Sequence, residues 1–134
     1  MPVLACTGRD GVARTFEYRY SREPLSGEWS VKVTSIPPLP GGDFFEMKLA
    51  PIDEETLRVV MVNHFNVPSY VGMGIPDALL PAIKSVLGKN VESSPSYGTR
   101  GNVYRTPAAT KVWERLRQMR LATYDPARDI YRLA

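Results

Sequence analysis

The chain is short of the side chains that most often cross-link a fold or ligate a metal. It has one cysteine, Cys6, and one histidine, His64. No intrachain disulfide can close, and no Cys/His cage for structural zinc can be built from one copy, so no metal site is expected. Long apolar runs are also missing: nothing approaches the about 18 residues that cross a bilayer. The start Met1-Pro2-Val3-Leu4-Ala5-Cys6 lacks the basic segment and long apolar stretch of a secretory leader. A cytoplasmic protein without a membrane partner is the expectation. No repeat with a period of about 20 to 50 residues is present, which excludes solenoids and propellers.

Proline is plentiful, with 12 in 134 residues, and 43% hydrophobic against 23% charged side chains is an ordinary globular balance. The length suits a single domain over residues 1–134 with one core. The net charge of +3 is unevenly spread: residues 1–60 hold seven basic and nine acidic side chains, residues 61–134 ten and five. A basic second half suits an anionic partner, whether nucleotide cofactor, nucleic acid or acidic protein surface, and equally a solvated helix face.

Period-two alternation marks the front of the chain as sheet. Thr15 to Tyr20 alternates aromatic and polar residues, and Trp29, Val31 and Val33 alternate with Ser30, Lys32 and Thr34. Ile36 to Gly42 is a loop, because its prolines lack donors and its glycines favour turns. Phe45, Met47 and Leu49 predict a third strand. Leu57 to Val62, apolar at nearly every position, predicts a fourth that is covered on both faces.

The period then changes. Leu79, Leu80, Ile83, Val86 and Leu87 recur at helical spacing, with Gly88 as the cap; Asp77 as N-cap would leave Pro81 in the first turn, whereas an earlier start would force a kink. A short strand about Val91 and a polar loop from Ser93 to Arg105, holding Gly98 and Gly101, follow. Thr106 and Pro107 open a second helix whose apolar face is Ala109, Val112, Trp113, Leu116 and Met119. Leu121 to Tyr124 and Ile130 to Leu133 close as a hairpin. The predicted class is α+β: a mixed, strongly bent sheet with two main helices in the order β-β-β-β-α-β-α-β-β.

At Val59 to Val62 followed by Val71-Gly72-Met73-Gly74-Ile75-Pro76-Asp77-Ala78-Leu79-Leu80, the chain resembles the GNAT superfamily of N-acetyltransferases. That family has a strand, a turn of the form Gln/Arg-x-x-Gly-x-Gly/Ala, and a helix opening on small and leucine residues. Ala109 to Leu116 is similar to the family's second helix of this half, Ala-x-x-x-Tyr-Glu-x-Leu. The resemblance covers about residues 43–134. It implies that Val62, Gly72, Met73, Gly74, Asp77 and Trp113 hold acetyl-CoA, with helix amides cradling its pyrophosphate. It further implies transfer of the acetyl group to an amine, with Glu46 or His64 as base; Tyr104, Tyr124 and Tyr131 are candidate acids because they lie near the second helix in sequence.

The chain also departs from the pattern. Val71 stands where Gln or Arg is usual, Pro76 replaces the second glycine, and Trp113 occupies the place of the proton-donating tyrosine; indole does not titrate usefully. The usual N-terminal helices are lacking, so the acceptor groove is open or covered by Pro37 to Gly42. A non-catalytic version is therefore an equal expectation. Two alternatives stand beside it. Residues 106–134 also resemble the last helix and wing of a winged-helix DNA-binding domain, with Arg115, Arg117, Arg120, Arg128 and Arg132 toward phosphates. A non-enzymatic interaction module would instead present Tyr18, Trp29 and neighbouring aromatics to a partner. Monomer and homodimer are both compatible with the sequence.

Overall fold

Alternating side chains build most of this protein into one sheet. A computed structural model describes residues 2–97 and 104–134. Eight strands, β1 (Val3–Thr7), β2 (Ala13–Arg22), β3 (Trp29–Ser35), β4 (Phe45–Pro51), β5 (Thr56–Asn63), β6 (Asn90–Glu92), β7 (Ala122–Asp125) and β8 (Ile130–Leu133), lie in the order β1-β2-β3-β4-β5-β6-β8-β7. Only β5 and β6 run parallel, joined by α1 (Ile75–Leu87); α2 (Pro107–Gln118) links β6 to the β7–β8 hairpin. The mixed sheet and two helices agree with the α+β class. The predicted order lacked one element: β1 adds a strand at the front, with Leu4 and Cys6 buried between exposed neighbours.

Strand register sorts the side chains onto two unlike faces. Val33 lies opposite Tyr18 and Phe45, and Val31 opposite Met47, on a face that packs with Leu79, Ile83, Trp113 and Leu116 of the two helices into a single core. Arg19 lies opposite Lys32, and Lys32 opposite Glu46, on the other face, whose side chains on β2, β3 and β4 remain half-buried or exposed. This is the one-sided covering common in antiparallel sheets. The expectation that β5 is covered on both faces is corrected accordingly. Leu57 and Val59 are buried, Met61 is half-buried and Val62 is exposed. A bulge at Val60, where the register with β4 slips between Lys48 and Leu49, breaks the alternation.

The helix ends are set by local chemistry. Thr106 caps α2, its Oγ1 accepting from the Ala109 N–H at 3.1 Å, and Pro107 follows at N1. Gly88 ends α1 at φ 63°, its N–H donating to the Lys84 carbonyl at 3.0 Å. The start of α1 is the earlier of the two alternatives. Gly74, at φ 76°, is the N-cap rather than Asp77, so the helix begins one turn earlier and Pro81 lies inside it. A side chain cannot replace Gly74, because a Cβ there would sit 2.2 Å from the Thr7 carbonyl oxygen.

The proline-rich connection between β3 and β4 is clasped at its base. The Tyr70 hydroxyl accepts from the Ser35 N–H at 3.2 Å and donates to the Asp43 carbonyl at 2.8 Å. Tyr70 is itself buried in the core, and Leu39 of the loop packs against that core.

Candidate functional site

Three regions carry the residues singled out from the sequence: the seam between β5 and β6, the start of α1, and the end of the β7–β8 hairpin. At the seam, Thr56, Leu57 and Arg58 pair with Asn90, Val91 and Glu92, and there the pairing stops. β5 runs on to Asn63, while the other chain turns away through Ser93 and Ser94. Ser93 N–H donates to the Tyr131 carbonyl at 2.8 Å and Ser94 Oγ to the Val59 carbonyl at 2.7 Å. The two parallel strands thus part after three residue pairs. From Val60 to Asn63, β5 has no strand partner on that side among the described residues.

The start of α1 lies against β1. Arg9 N–H donates to the Gly72 carbonyl at 2.9 Å, and the Arg9 side chain runs along Gly72. Beside this tip is an open hollow of about 550 Å³, lined by Ala5, Thr7, Gly74, Asp77, Arg115 and Met119 among others. Helix N-termini favour anions, but this one already holds an anion of its own. Asp77 lies in the first turn and takes a two-pronged ion pair from Arg115, at 2.7 and 2.9 Å. That pairing raises the Arg115 pKa further. Pro76 supplies no amide donor. A pyrophosphate would have to displace Arg115 from Asp77 and lie beside that carboxylate, so the tip is a poor fit for the cofactor's phosphates. Met73 packs against the core, and the Gly72 carbonyl is taken by the Arg9 N–H.

The third region is a polar knot that the sequence did not announce. Arg105, 8% exposed, donates from Nε to Thr110 Oγ1 at 2.8 Å, from Nη1 to Ser93 Oγ and to the Ser94 and Asp129 carbonyls, and from Nη2 to Asp129 Oδ1 at 2.9 Å. Its guanidinium also covers the Tyr131 ring at 4.8 Å. Asp129 additionally accepts from Ser96 N–H, Ser96 Oγ and Tyr124 Oη. The donors from Ser96 and Arg105 hold its carboxyl far below the usual carboxylate range. Every buried side-chain polar atom among the described residues has a partner. Ser93 and Ser94 after β6 and Arg105 before the cap of α2 are the missed residues; their partners come from three separate segments. The Gly98 and Gly101 of the predicted loop lie outside the described residues.

Three of the candidate proton-transfer groups, Glu46, His64 and Tyr124, do not converge. Glu46 is on the open face of β4, accepting from Ser30 Oγ at 2.7 Å. His64 follows β5, and its Nδ1 accepts the Asn66 N–H at 2.9 Å. A neutral imidazole with Nδ1 as acceptor carries its proton on Nε2, so its free nitrogen donates and cannot act as a base. Tyr124 is on the edge strand β7, facing the core side with Tyr131. Its proton is committed to Asp129, and that hydrogen bond raises its pKa. Trp113, assigned to the cofactor by resemblance, is 2% exposed and stacked on Tyr131 at 6.0 Å, a core position that no cofactor reaches. Its neighbour Tyr131 donates to Glu114 and is pushed up to about 12, by burial first and that acceptor second.

The alternatives are also changed. β8 pairs with β6 inside the sheet, so the terminal hairpin is not a free wing. Arg115, Arg117 and Arg128 are paired with Asp77, Glu114 and Glu92. Tyr18 is 4% exposed and Trp29 packs against the core, so neither is presented to a partner. No helix among the described residues is long and apolar enough to cross a membrane. Comparison with family models, with curated proteins and with solved structures finds no match to this chain.

Proposed function

We propose that this chain is a non-enzymatic binding protein, built on a GNAT-like order of strands and helices but without acyl transfer, and that it acts through the open face of its sheet. The observation that carries this reading is the separation of the catalytic candidates. Glu46 faces away from the helices, the free nitrogen of His64 is a donor, and Tyr124 is bound to Asp129 on an edge strand. Acid and base catalysis requires groups within hydrogen-bond reach of one reacting centre, and these three serve separate local contacts. The test is a thiol-release assay with acetyl-CoA and a mixture of polyamines and amine-bearing peptides. No enzyme-dependent thiol is expected above the background rate; steady turnover that disappears on His64→Ala or Glu46→Gln overturns the reading.

A second reading rests on the parting of β5 from β6. In it, the amide-bearing arm of a coenzyme A derivative pairs with the edge of Val60 to Asn63, with Val62 beside it and Arg9 as the cation nearest the glycine turn. Bound coenzyme A would supply an activated thioester there; the chain's part would be to align that arm by backbone pairing. Calorimetry and a thermal melt with coenzyme A at millimolar concentration separate the two readings. Heat and a raised melting temperature, both abolished by Val62→Trp, favour the second. No response at that concentration removes it.

A further inference from the structure

The open face carries a pattern visible only once the strands are in register. Lys32 on β3 lies opposite Arg19 on β2. Lys48 on β4 is two residues beyond Glu46, the partner of Lys32. Arg58 on β5 pairs with Ala50, two residues beyond Lys48, and then with Glu92 on β6, which faces Arg132 on β8. One cation per strand therefore steps diagonally across the sheet from β2 through β5 and resumes on β8. At about 4.8 Å per strand, the band spans about 24 Å.

Its charge is only partly balanced within the protein: Glu46 lies opposite Lys32, and Glu92 pairs with Arg58. Arg19 and Lys32 are like charges directly opposite each other, an arrangement that destabilises a sheet unless an anion lies across it. Arg19, Lys32 and Lys48 have no ion-pair partner among the described residues. Farther along, Glu92 is shared by Arg58 at 2.8 Å and Arg128 at 3.5 Å. Glu17 and Glu46 are the other carboxylates of the face, and neither is in an ion pair. Five stripe cations stand against three carboxylates, Glu17, Glu46 and Glu92.

Beside the stripe stands an aromatic pair. Phe44 and Phe65 meet edge to face at 5.5 Å, and the Lys32 ammonium lies 4.6 Å from the Phe44 ring centre. Phe65 is 47% exposed and held at φ 53°, an unfavourable backbone for a bulky residue, while its N–H is bound by Asn63 Oδ1 at 2.7 Å. A strained loop that keeps a phenyl ring in water has no use for the core.

We propose that this face binds single-stranded nucleic acid, with phosphates along Arg19, Lys32, Lys48 and Arg132 of the stripe and bases against Phe65 and Phe44. The proposal rests on the binding-protein reading and names its partner. A cationic track flanked by aromatic rings is what sequence-tolerant single-strand binding requires. An acidic peptide would use the cations but leave the rings unexplained. A duplex presents no free base faces to stack on them.

The experiment is fluorescence anisotropy with labelled oligo(dT) and oligo(rU) about 12 nucleotides long. Four phosphate contacts predict affinity falling about 50-fold between about 50 and about 200 mM salt. Lys48→Glu should weaken binding at least about tenfold, and Phe65→Ala at least about fivefold. Lys111→Glu, the same charge change on exposed α2, should change it less than about twofold. Three results overturn the proposal: no binding at the lower salt, equal losses for Lys48→Glu and Lys111→Glu, or tighter binding of duplex or poly-glutamate. Circular dichroism and the melting temperature of each variant exclude unfolding as the cause. If oligonucleotides fail while coenzyme A and acetyl-CoA also give no response, only the partner is wrong. Thiol-releasing turnover defeats the binding-protein reading itself.

Discussion

Two arginine–aspartate pairs in this molecule have nearly the same bond lengths and opposite roles. Arg105 and Asp129 lie in the knot beside β8, with side chains 5% and 23% exposed; Arg115 and Asp77 join the helices, with side chains 50% and 21% exposed. The first pair has its guanidinium hydrogens taken up by two hydroxyls, two carbonyls and a carboxylate from three stretches of chain. The second has water as an alternative partner. A buried pair stripped of one member leaves a charge with nowhere to go, whereas an exposed pair exchanges one solvation for another. Surroundings, not the pair itself, decide what each contributes.

Breaking the buried pair should have the largest effect. Arg105→Ala is expected to lower unfolding free energy by about 3 to 5 kcal/mol in urea titrations. Arg105→Lys should recover little of it, because one ammonium cannot replace the planar fork. Asp129→Asn is expected to cost about 2 kcal/mol near neutral pH and to change the acid response. The carboxyl is held far below its ordinary 3.8, so its stabilisation is complete above that value and declines as pH falls below it. Unfolding midpoints measured from pH 5 down to about pH 2 should fall less steeply in the variant than in the parent. Asp77→Ala should cost no more than about 1 kcal/mol. It also removes the anion already at the tip of α1, so any coenzyme A affinity should rise; an unchanged or weaker affinity would remove the tip from consideration. Arg117→Ala, which breaks the exposed pair with Glu114, should alter stability by less than about 0.5 kcal/mol.

The contrast also explains what could be read from the chain beforehand. Thr106, Pro107 and Gly88 act on neighbours within a turn, so the ends of α2 and the stop of α1 were legible. The alternation around Val31, Val33, Phe45 and Met47 was legible because burial on one face repeats every second residue. β1 was not, since Val3 and Ala5 are as apolar as the buried Leu4 and Cys6 between them. The start of α1 was open between two positions because Asp77 also looks like a cap. What fixes Gly74 instead is the backbone of Thr7, 67 residues earlier. Among the site residues, Trp113 lies in the core; a helical aromatic beside a family motif looks the same whether it faces a ligand or a core. Arg105 gave no signal, because its partners are separated from it by 5 to 24 residues and meet it only after β6 and β8 have paired. The cation stripe is illegible for the same reason: its members are scattered from Arg19 to Arg132.

The Tyr70 clasp makes the proline-rich connection a natural place for engineering. With one hydroxyl tying the amide of Ser35 to the carbonyl of Asp43, the neighbouring strands are anchored independently of the sequence between those anchors. Peptides of different length could be spliced in there, provided a leucine is retained where Leu39 meets the interior. The mouth of that splice site would then display a chosen epitope or tag on a scaffold whose register it does not set.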